Sequence, residues 1–348
     1  MTKSASHKAV VLLSGGLDSL LAVLTMLRQG IRVSAIRFST PFDTDNADRL
    51  SIAAQYETLG QKWGFDITVR SLRHKMLDIV KTPKHGHGKN MNPCIDCRIL
   101  MLKEAKQFMD MIDADFLVTG EVLGQRPMSQ RRDMLYHIDK EAGVTDIVLR
   151  PLSAKLLRMT IPEQNGIVDR EVLYAFSGRS RKAQMALARE FGLNEYPAPA
   201  GGCLLTEPNF ALRLKDLLVH DHNHGMRDID LLKTGRHFRF LRRCKIIVGR
   251  NKSENEIIES LAQENDCLLR VERYGSPTTL VTGEITDESL RLAAGICARY
   301  SDVQHLDKVL VKGVRNRKTF IINAFPASDE MIDAIRIEKN KTSVQAIA

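Results

Sequence analysis

The sequence predicts an α/β domain built on a doubly wound parallel sheet, followed by a smaller α+β domain. Short apolar strands alternate with helical segments over the first part of the 348-residue chain, which is the pattern of a parallel sheet with crossover helices. A glycine-rich turn follows the first strand, and short strands with fewer helices fill the last third. A polar link at 220–225 separates the two patterns, so we predict domains at 1–222 and 223–348.

Each element follows from a local apolar run and the turn residues that end it. In the first domain we expect strands at 9–13, 31–39, 65–71, 116–120 and 147–152. Helices are expected at 18–30, 45–63, 95–112, 181–191 and 210–219, and the proline- and glycine-rich run 197–202 is expected to be an irregular loop. In the second domain we expect strands at 239–248, 267–274, 279–283, 309–312 and 320–323, with helices at 253–263 and 287–300.

The composition is that of an ordinary globular protein, with 27% charged and 43% hydrophobic residues. No apolar stretch reaches the roughly 20 residues of a membrane helix, and the first residues lack the apolar core of a signal peptide. The six cysteines are irregularly spaced and do not indicate a disulfide framework in a chain of this length. We therefore expect a cytoplasmic protein that does not enter a membrane.

The positive charge favours a polyanionic partner. The formal net charge is +9, and residues 233–252 contain eight lysines and arginines but no acidic residue. A second acid-free run lies at 308–318. The residues that we predict to contact this partner are Arg242, Arg243, Lys245, Arg250 and Lys252.

The turn after the first strand has the features of a phosphate-binding loop. It reads Ser14-Gly15-Gly16-Leu17-Asp18-Ser19 and opens an amphipathic helix. Glycines let the backbone approach a ligand closely, and the free N–H groups at a helix start face an anion. The loop is neither a Walker loop nor a dinucleotide fingerprint, because no Gly-Lys-Ser/Thr follows it and G-x-G-x-x-G is absent. Ser39 and Gly120 end other predicted strands, where the nucleotide of a parallel sheet is expected.

Three cysteines form the second candidate site. Cys94 and Cys97 make a C-x-x-C pair at a loop-to-helix junction, and Cys203 follows a glycine-rich loop. Three thiolates without an obvious fourth favour an iron–sulfur cluster with one open iron, which would hold an external sulfide. A persulfide and disulfide cycle between Cys203 and one of the other two is an alternative, as are zinc and a structural role. The remaining cysteines lie in apolar runs and are interpreted as buried hydrophobic residues: Cys244, Cys267 and Cys297.

The string SGGLDS resembles the PP-loop of the N-type ATP pyrophosphatases, which activate an oxygen with AMP. Together with NPCIDC, the string Thr119–Gln125 and the later Arg150-Pro151-Leu152, it resembles the tRNA thiouridine synthetases, above all the 4-thiouridine branch. This resemblance covers about residues 8–207 and implies an adenine nucleotide alpha hydrolase-like fold. The stretch 247–256, with 274–277, resembles the RNA-binding domain of the NFACT proteins.

The resemblance implies an ATP-dependent tRNA sulfurtransferase that adenylates a uridine carbonyl, at C2 or C4, and replaces its oxygen with sulfur. The cofactors implied are ATP, Mg²⁺ and a [4Fe-4S] cluster, and the partners are tRNA and a sulfur donor, either free sulfide or a cysteine desulfurase. A homodimer is a candidate assembly. The catalytic residues implied are Asp18, Cys94, Cys97 and Cys203, and the same three cysteines are the metal ligands. The residues that we expect to bind ATP, from the resemblance and from their positions in the sequence, are Ser14, Gly15, Gly16, Asp18, Ser19, Phe38, Ser39, Gly120 and Lys155.

Two other classes of function remain open at this point. One is a different PP-loop ligase that acts on a small molecule, and the other is a non-catalytic ATP-binding factor associated with RNA. A ligase has no need for three cysteines in these positions, and a binding factor has no need for an intact Asp18.

Overall fold

The computed structural model describes residues 7–44, 57–193 and 202–338, and the chain divides into two compact units. The first unit is Met1–Leu204 and the second is Leu205–Ala348. This division lies earlier in the chain than the predicted boundary at 222/223. The reason is that the helix before the polar link groups with the second unit, where Asp216 on that helix pairs with Arg239 of the sheet.

The first unit alternates strands and helices in the predicted manner. Its strands are β1 Lys8–Leu12, β2 Arg32–Ser39, β3 Asp66–Ser71, β4 Phe116–Thr119 and β5 Val148–Leu149. Its α-helices are α1 Leu17–Arg28, α2 Arg73–Lys81, α3 Cys94–Met111, α4 Arg132–Ala142, α5 Ile161–Gln164 and α6 Lys182–Glu190. Residues 57–63 are also helical.

All five strands of the first unit pair in parallel, in the order β3-β2-β1-β4-β5. The order reverses direction at β1, whose neighbours on its two sides are β2 and β4. Ligands of such sheets bind beyond the carboxyl ends of the strands at this reversal. The turn after β1 and the residue after β4 therefore lie where a nucleotide is expected.

Helices cover both faces of this sheet. Alternate residues of β1 point to opposite faces, so Val11 packs with Val23 of α1 while Val10 packs with Leu102 of α3. Ile138 of α4 joins the second of these clusters. The doubly wound arrangement predicted from the sequence is confirmed.

Several predicted elements differ from the structure in extent. The last strand is shorter than 147–152, because Arg150 and the residues after it turn away from the sheet. Helices α2 and α4 are not expected from the sequence, since charged residues interrupt their apolar pattern. Most of the helix expected at 45–63 and the loop expected at 197–202 lie outside the described residues. No helix in the described part of the chain is both long and apolar enough to span a bilayer.

The second unit has an antiparallel sheet of six strands, in the order β11-β10-β8-β9-β7-β6. The strands are β6 Arg236–Phe240, β7 Cys244–Val248, β8 Cys267–Val271, β9 Thr279–Gly283, β10 Val309–Arg315 and β11 Lys318–Ala324. The helices are α7 Pro208–His220, α8 Met226–Leu231, α9 Lys252–Leu261, α10 Asp287–Arg299 and α11 Asp329–Ile335.

The strand predicted at 239–248 is instead a hairpin. Residues of β6 and β7 pair in antiparallel register from Arg236–Val248 to Phe240–Cys244, and Leu241 has a φ of 54° in the turn. The three turn residues are exposed, so the chain reverses where the sequence shows an unbroken mixture of apolar and basic residues. One large core packs α10 on the sheet through residues such as Ile296 and Val281.

Candidate functional site

The loop after β1 holds two hydroxyl groups at the start of α1. Gly15 has a φ of 80°, a backbone conformation that favours glycine, and Gly16 is the N-cap residue. The Ser19 hydroxyl donates to the Gly16 carbonyl at 2.8 Å, and its oxygen accepts from the Ser14 backbone N–H at 3.1 Å. The Ser14 hydroxyl lies 3.1 Å from that of Ser19. This loop has the geometry expected of a phosphate cradle.

Gly120 is a glycine because the end of β4 touches the start of α1. A Cβ atom at this position would lie 2.5 Å from the Asp18 carbonyl carbon and 2.5 Å from the Ser19 backbone nitrogen. No side chain fits at such distances from backbone atoms. The close approach brings the two strand ends together around one cavity.

Asp18 presents one carboxylate oxygen that has no protein partner. Its Oδ2 accepts hydrogen bonds from Gln125 Nε2 at 2.7 Å and from Arg181 Nη2 at 3.2 Å. Its Oδ1 is buried and has no hydrogen-bond partner among the described residues. An unsatisfied buried carboxylate oxygen is costly unless something binds it, and Mg²⁺ prefers oxygen ligands of this type. The donor set of Asp18 therefore fits the Mg²⁺ that the resemblance implies.

The three predicted cysteines line one cavity of about 200 Å³. Cys94 and Cys97 lie in the first turn of α3, where the Cys97 backbone N–H donates to the Pro93 carbonyl at 2.9 Å. Cys203 lines the same cavity, although it belongs to a distant part of the chain. The fold therefore brings Cys203 to the C-x-x-C pair despite their separation in sequence.

Burial raises the pKa of the Cys94 thiol, and it raises the pKa of the Cys97 thiol to about 12 against the opposing effect of Arg98. Among the described residues, no three His, Cys, Asp or Glu side chains surround the position of a single metal ion. A set of three thiols on one cavity fits the donor set of a [4Fe-4S] cluster with one open iron.

The phosphate loop and the cysteines share cavity walls. A second cavity of about 50 Å³ is lined by Gly16, Asp18 and Gly120. Ser14 and Arg98 line both this cavity and the cysteine cavity, and so does Arg126. The two motifs that the sequence singles out separately therefore form one continuous site.

Three arginines of this site are not among the predicted residues. Arg98 and Arg126 line both cavities, and Arg37 Nη1 donates to the Ser14 carbonyl at 2.9 Å. The signal that Arg98 and Arg126 carry in the sequence is their position, because Arg98 directly follows the C-x-x-C pair and Arg126 directly follows the string Thr119–Gln125. Arg98 and Arg126 bring positive charge to the walls of both cavities.

A buried ion-pair network joins two of the strings found in the sequence: it connects Arg150 of Arg150-Pro151-Leu152 with Glu121 of Thr119–Gln125. Arg150 donates from Nη1 and Nη2 to the two oxygens of Asp139 at 2.8 and 2.7 Å, and from Nε to Glu121 at 3.0 Å. Arg98 lies 3.4 Å from the other oxygen of Glu121. Burial opposes ionisation of Glu121, but Arg98 and Arg150 outweigh it and lower its pKa. The network connects the wall of the site to α4 behind it.

Three predicted ATP-binding residues are not among the residues that line either cavity. Phe38 packs against the apolar cluster beneath α3, and the Ser39 carbonyl accepts from the Leu72 backbone N–H. Lys155 Nζ donates to the Glu171 carbonyl at 2.6 Å. Their roles toward adenine and phosphate stay predictions.

The structure corrects the surface position expected for Lys245 in the second unit. This residue is 5% exposed because every residue of β7 is covered. Arg242 and Arg243 are exposed in the β6–β7 turn, and the Lys252 side chain is 92% exposed. The Arg250 side chain lies 3.4 Å from Glu254 and 3.7 Å from Glu338.

The run that is acid-free in sequence is not acid-free in space. Arg239 forms a two-point ion pair with Asp216 of α7, and Lys233 pairs with Asp230 at 2.9 Å. Arg236 lies over the Tyr300 ring at 4.4 Å. Only part of the run is therefore available to a polyanion.

Two family models match the chain, one in each unit. Residues 4–156 match the model described as thiamine biosynthesis protein (ThiI), and residues 235–336 match the NFACT protein RNA binding domain. The curated proteins that are similar include a probable tRNA sulfurtransferase of Lysinibacillus sphaericus, 31% identical over 176 residues that cover 49% of this chain and 41% of the relative. Another is a probable tRNA sulfurtransferase of Methanocaldococcus jannaschii, 30% identical over 34% of this chain and 30% of the relative. The chain spans less than half the length of these relatives.

Among solved structures, a 4-thiouridine synthetase–RNA complex with bound ATP is 22% identical and covers 54% of this chain and 52% of that one, with a TM-score of 0.35. The C-terminal part of a fibronectin/fibrinogen-binding protein from Streptococcus suis is 14% identical over 44% of this chain and 77% of that one, with a TM-score of 0.28. The family models confirm both resemblances found in the sequence: residues 4–156 are similar to ThiI, and residues 235–336 are similar to the RNA-binding domain of NFACT proteins.

Proposed function

We propose that this protein is an ATP-dependent tRNA sulfurtransferase. It adenylates a uridine carbonyl of tRNA and replaces the carbonyl oxygen with sulfur. The observation that carries the proposal is the shared wall of Ser14, Arg98 and Arg126 between the phosphate-loop cavity and the cysteine cavity. The names of the curated relatives support it.

In the first step, the uridine oxygen attacks the α-phosphorus of ATP and pyrophosphate leaves. The phosphates lie on the backbone N–H groups at the start of α1 and on the hydroxyls of Ser14 and Ser19. Arg98 and Arg126 neutralise the charge that develops on the phosphate oxygens. Mg²⁺ held by Asp18 Oδ1 would supply further neutralisation of those oxygens.

In the second step, sulfur adds to the activated ring carbon and AMP leaves with the electron pair of the C–O bond. The sulfur comes from free sulfide or from a cysteine desulfurase. Cys94, Cys97 and Cys203 would hold a [4Fe-4S] cluster, which supplies an open iron as a place for sulfide. In the alternative route, the outer sulfur of a persulfide on one of these cysteines adds to the ring carbon and AMP leaves. A second cysteine then attacks the inner sulfur, which releases the thiouridine and leaves a disulfide, and an external thiol reductant restores both cysteines. The iron content of the active protein separates the two routes.

The second unit supplies the tRNA-binding surface in this proposal. Arg242 and Lys252 are exposed there and are suited to phosphate contacts. The protein would act in the cytoplasm, where tRNA and ATP meet, and a homodimer is its proposed assembly. The match of residues 235–336 to an RNA-binding domain supports the tRNA part of the proposal.

The test is the release of AMP and pyrophosphate by the full chain under anaerobic conditions, with ATP and Mg²⁺, in the presence and absence of unmodified tRNA. We expect release that depends on tRNA and on Asp18. Release that needs no tRNA would indicate a ligase for a small molecule. Binding of ATP and tRNA without any AMP formation would indicate an RNA-associated factor instead.

A further inference from the structure

A cavity of about 550 Å³ lies wholly within the second unit. Its walls come from the end of α7, the polar link after α7, helix α8 and the nearby strands β6, β7 and β9. The lining is mixed: Leu217 and Ile247 are apolar, Arg239, Arg243 and Lys245 are basic, and Asp221, Asp228 and Glu284 are acidic. The proposed thiolation chemistry does not use this cavity.

The register of the sheet places Lys245 between two other residues that line the cavity. Lys245 pairs with Arg239 on β6 and with Thr282 on β9, so the three side chains lie side by side on one face. Arg239 is satisfied by its two-point ion pair with Asp216. Lys245 Nζ, in contrast, has no hydrogen bond and no ion pair within 4.0 Å among the described residues.

An unpaired amine in this position opposes folding. Lys245 is 5% exposed, and burial lowers its pKa to about 7, with Asp216 acting in the opposite direction. A methionine or leucine would fill the same space without the desolvation penalty. A buried polar group that lacks a protein partner and lines an open cavity is therefore a group suited to bind a ligand.

The lining restricts the chemistry of that ligand. A volume of about 550 Å³ falls in the range of roughly 300–1,000 Å³ that is typical of small-molecule sites, so an inorganic anion would leave most of it unfilled. An apolar ligand would leave the amine unsatisfied, and a simple cation offers the Lys245 amine no hydrogen-bond acceptor. A nucleotide meets each requirement, because it combines a flat ring, carbonyl oxygens that accept hydrogen bonds and a phosphate.

We propose that this cavity binds one nucleotide, with a base carbonyl accepting from Lys245 Nζ, the ring against Leu217 and Ile247, and the phosphate at Arg243. The nucleotide is either an unstacked residue of bound RNA or a free mononucleotide, and single-stranded RNA is commonly recognised through such splayed bases. The RNA source rests on the proposed function, whereas the free-nucleotide source does not.

Labelling of Lys245 tests this inference on the full chain. Pyridoxal 5′-phosphate forms an imine with an accessible uncharged amine, borohydride reduces the imine, and mass spectrometry of peptides locates the label. We expect Lys245 to be labelled near pH 7.5 and to be protected by nucleoside 5′-monophosphates, by tRNA or by both, but not by inorganic phosphate at the same concentration. Labelling that neither nucleotides nor tRNA reduce would overturn the proposal, as would protection by phosphate alone.

Three variants complete the test. Lys245→Met is expected to raise the melting temperature by a few degrees and to weaken binding of the protecting nucleotide at least tenfold. Lys245→Arg keeps the charge and is expected to retain part of the binding, while Lys215→Met, which removes an exposed lysine from α7, is expected to change neither quantity. Two results together would show that Lys245 has only a structural role. These are a lower melting temperature for Lys245→Met and nucleotide binding that is unchanged in both Lys245→Arg and Lys245→Met.

The measurements with tRNA distinguish failure of the cavity inference from failure of the sulfurtransferase proposal. If tRNA binds to the full chain but neither protects Lys245 nor distinguishes Lys245→Met from the unaltered protein, and mononucleotides also fail, the cavity inference fails and the sulfurtransferase proposal stands. If tRNA does not bind at all while a mononucleotide protects Lys245, the sulfurtransferase proposal fails and the cavity inference stands.

Discussion

In the first unit, residues that are far apart in sequence come together at one site, whereas in the second unit residues that are consecutive in sequence are dispersed. The parallel sheet brings the carboxyl ends of β1 and β4 together, so the phosphate loop meets Gly120, and Ser14 of this loop also lines the cysteine cavity. The antiparallel sheet turns the basic run 233–252 into a hairpin and part of a helix, and acidic residues from α7 and α8 neutralise several of its charges. Sequence motifs predict a site well in the first unit, because the parallel sheet brings strand ends together. The number of basic residues in a stretch of sequence does not predict a basic surface in the second unit.

The sharpest test of this comparison is a variant of the first unit's site that loses AMP formation but still binds tRNA. Asp18→Asn keeps the shape of the side chain but removes the negative charge beside the unpartnered Oδ1. We expect AMP and pyrophosphate formation to fall at least about 100-fold, because the metal that neutralises the phosphates loses its ligand. Rapid-quench measurement of AMP gives the rate, and a filter-binding curve with tRNA is the control. A rate within a few-fold of the unaltered protein would place the active site elsewhere.

Removal of single cysteines is the next largest effect. Cys94→Ala, Cys97→Ala and Cys203→Ala are each expected to lose most of the iron and the brown colour of anaerobically reconstituted protein. Cys297→Ala is the matched control, because Cys297 is buried in the core of the second unit. Iron analysis and the visible spectrum measure the outcome. Full activity of an iron-free preparation would contradict the cluster and favour the persulfide route.

The ion-pair network behind the site provides a test of stability. Arg150→Met leaves the buried carboxylates of Glu121 and Asp139 without their shared partner. We expect a loss of about 3–5 kcal/mol in the free energy of unfolding, which is typical when one partner of a buried pair is removed. Urea unfolding measures it, and Arg131→Met is the control because the Arg131–Asp133 pair is exposed. A decrease smaller than about 1 kcal/mol, the range of an exposed pair, would mean that the network contributes little to holding this wall of the site.

A smaller effect is expected from the exposed part of the basic run. Arg242→Glu with Lys252→Glu removes two exposed positive charges, of which Lys252 lies 3.9 Å from Glu256 but keeps a side chain that is 92% exposed. We expect tRNA affinity to fall several-fold and the slope of log affinity against log salt to decrease by about 2, roughly one for each phosphate that is no longer neutralised. Lys233→Gln lies in the same run but is paired with Asp230, and we expect it to leave the slope unchanged. Equal effects of the exposed and the paired residues would contradict the comparison.

A pH dependence of stability is expected from Lys245. Its pKa is about 7 in the folded protein and about 10.4 when unfolded, so between these values the unfolded state binds a proton that the folded state does not. Stability relative to Lys245→Met therefore rises as pH increases from about 7 toward about 10, and it does not change below about pH 7. The charged groups near Lys245 are Asp216, Asp228, Arg239 and Arg213. Parallel stability curves for the two proteins would show that Lys245 keeps an ordinary pKa.

The sequence alone predicts the fold class, the phosphate loop and the three cysteines, because each depends on local spacing around strand ends. It does not predict Arg98 or Arg126 as part of the site, since their roles depend on which loops face one cavity. It also favours a surface position for Lys245, because a single lysine in β7 looks the same whether its face of the sheet is covered or open. Burial by α7 and α8 depends on tertiary packing, which the charge pattern does not encode.

The central claim is the coupling of AMP formation to sulfur transfer at one site. Anaerobic protein reconstituted with iron and sulfide is mixed with ATP, Mg²⁺, sulfide and unmodified tRNA for a single turnover, and the tRNA is digested for nucleoside mass spectrometry. We predict one thiouridine for each AMP released with the unaltered protein, AMP without thiouridine with Cys97→Ala, and neither product with Asp18→Asn. Release of AMP by the unaltered protein with no uridine gaining sulfur would contradict this claim.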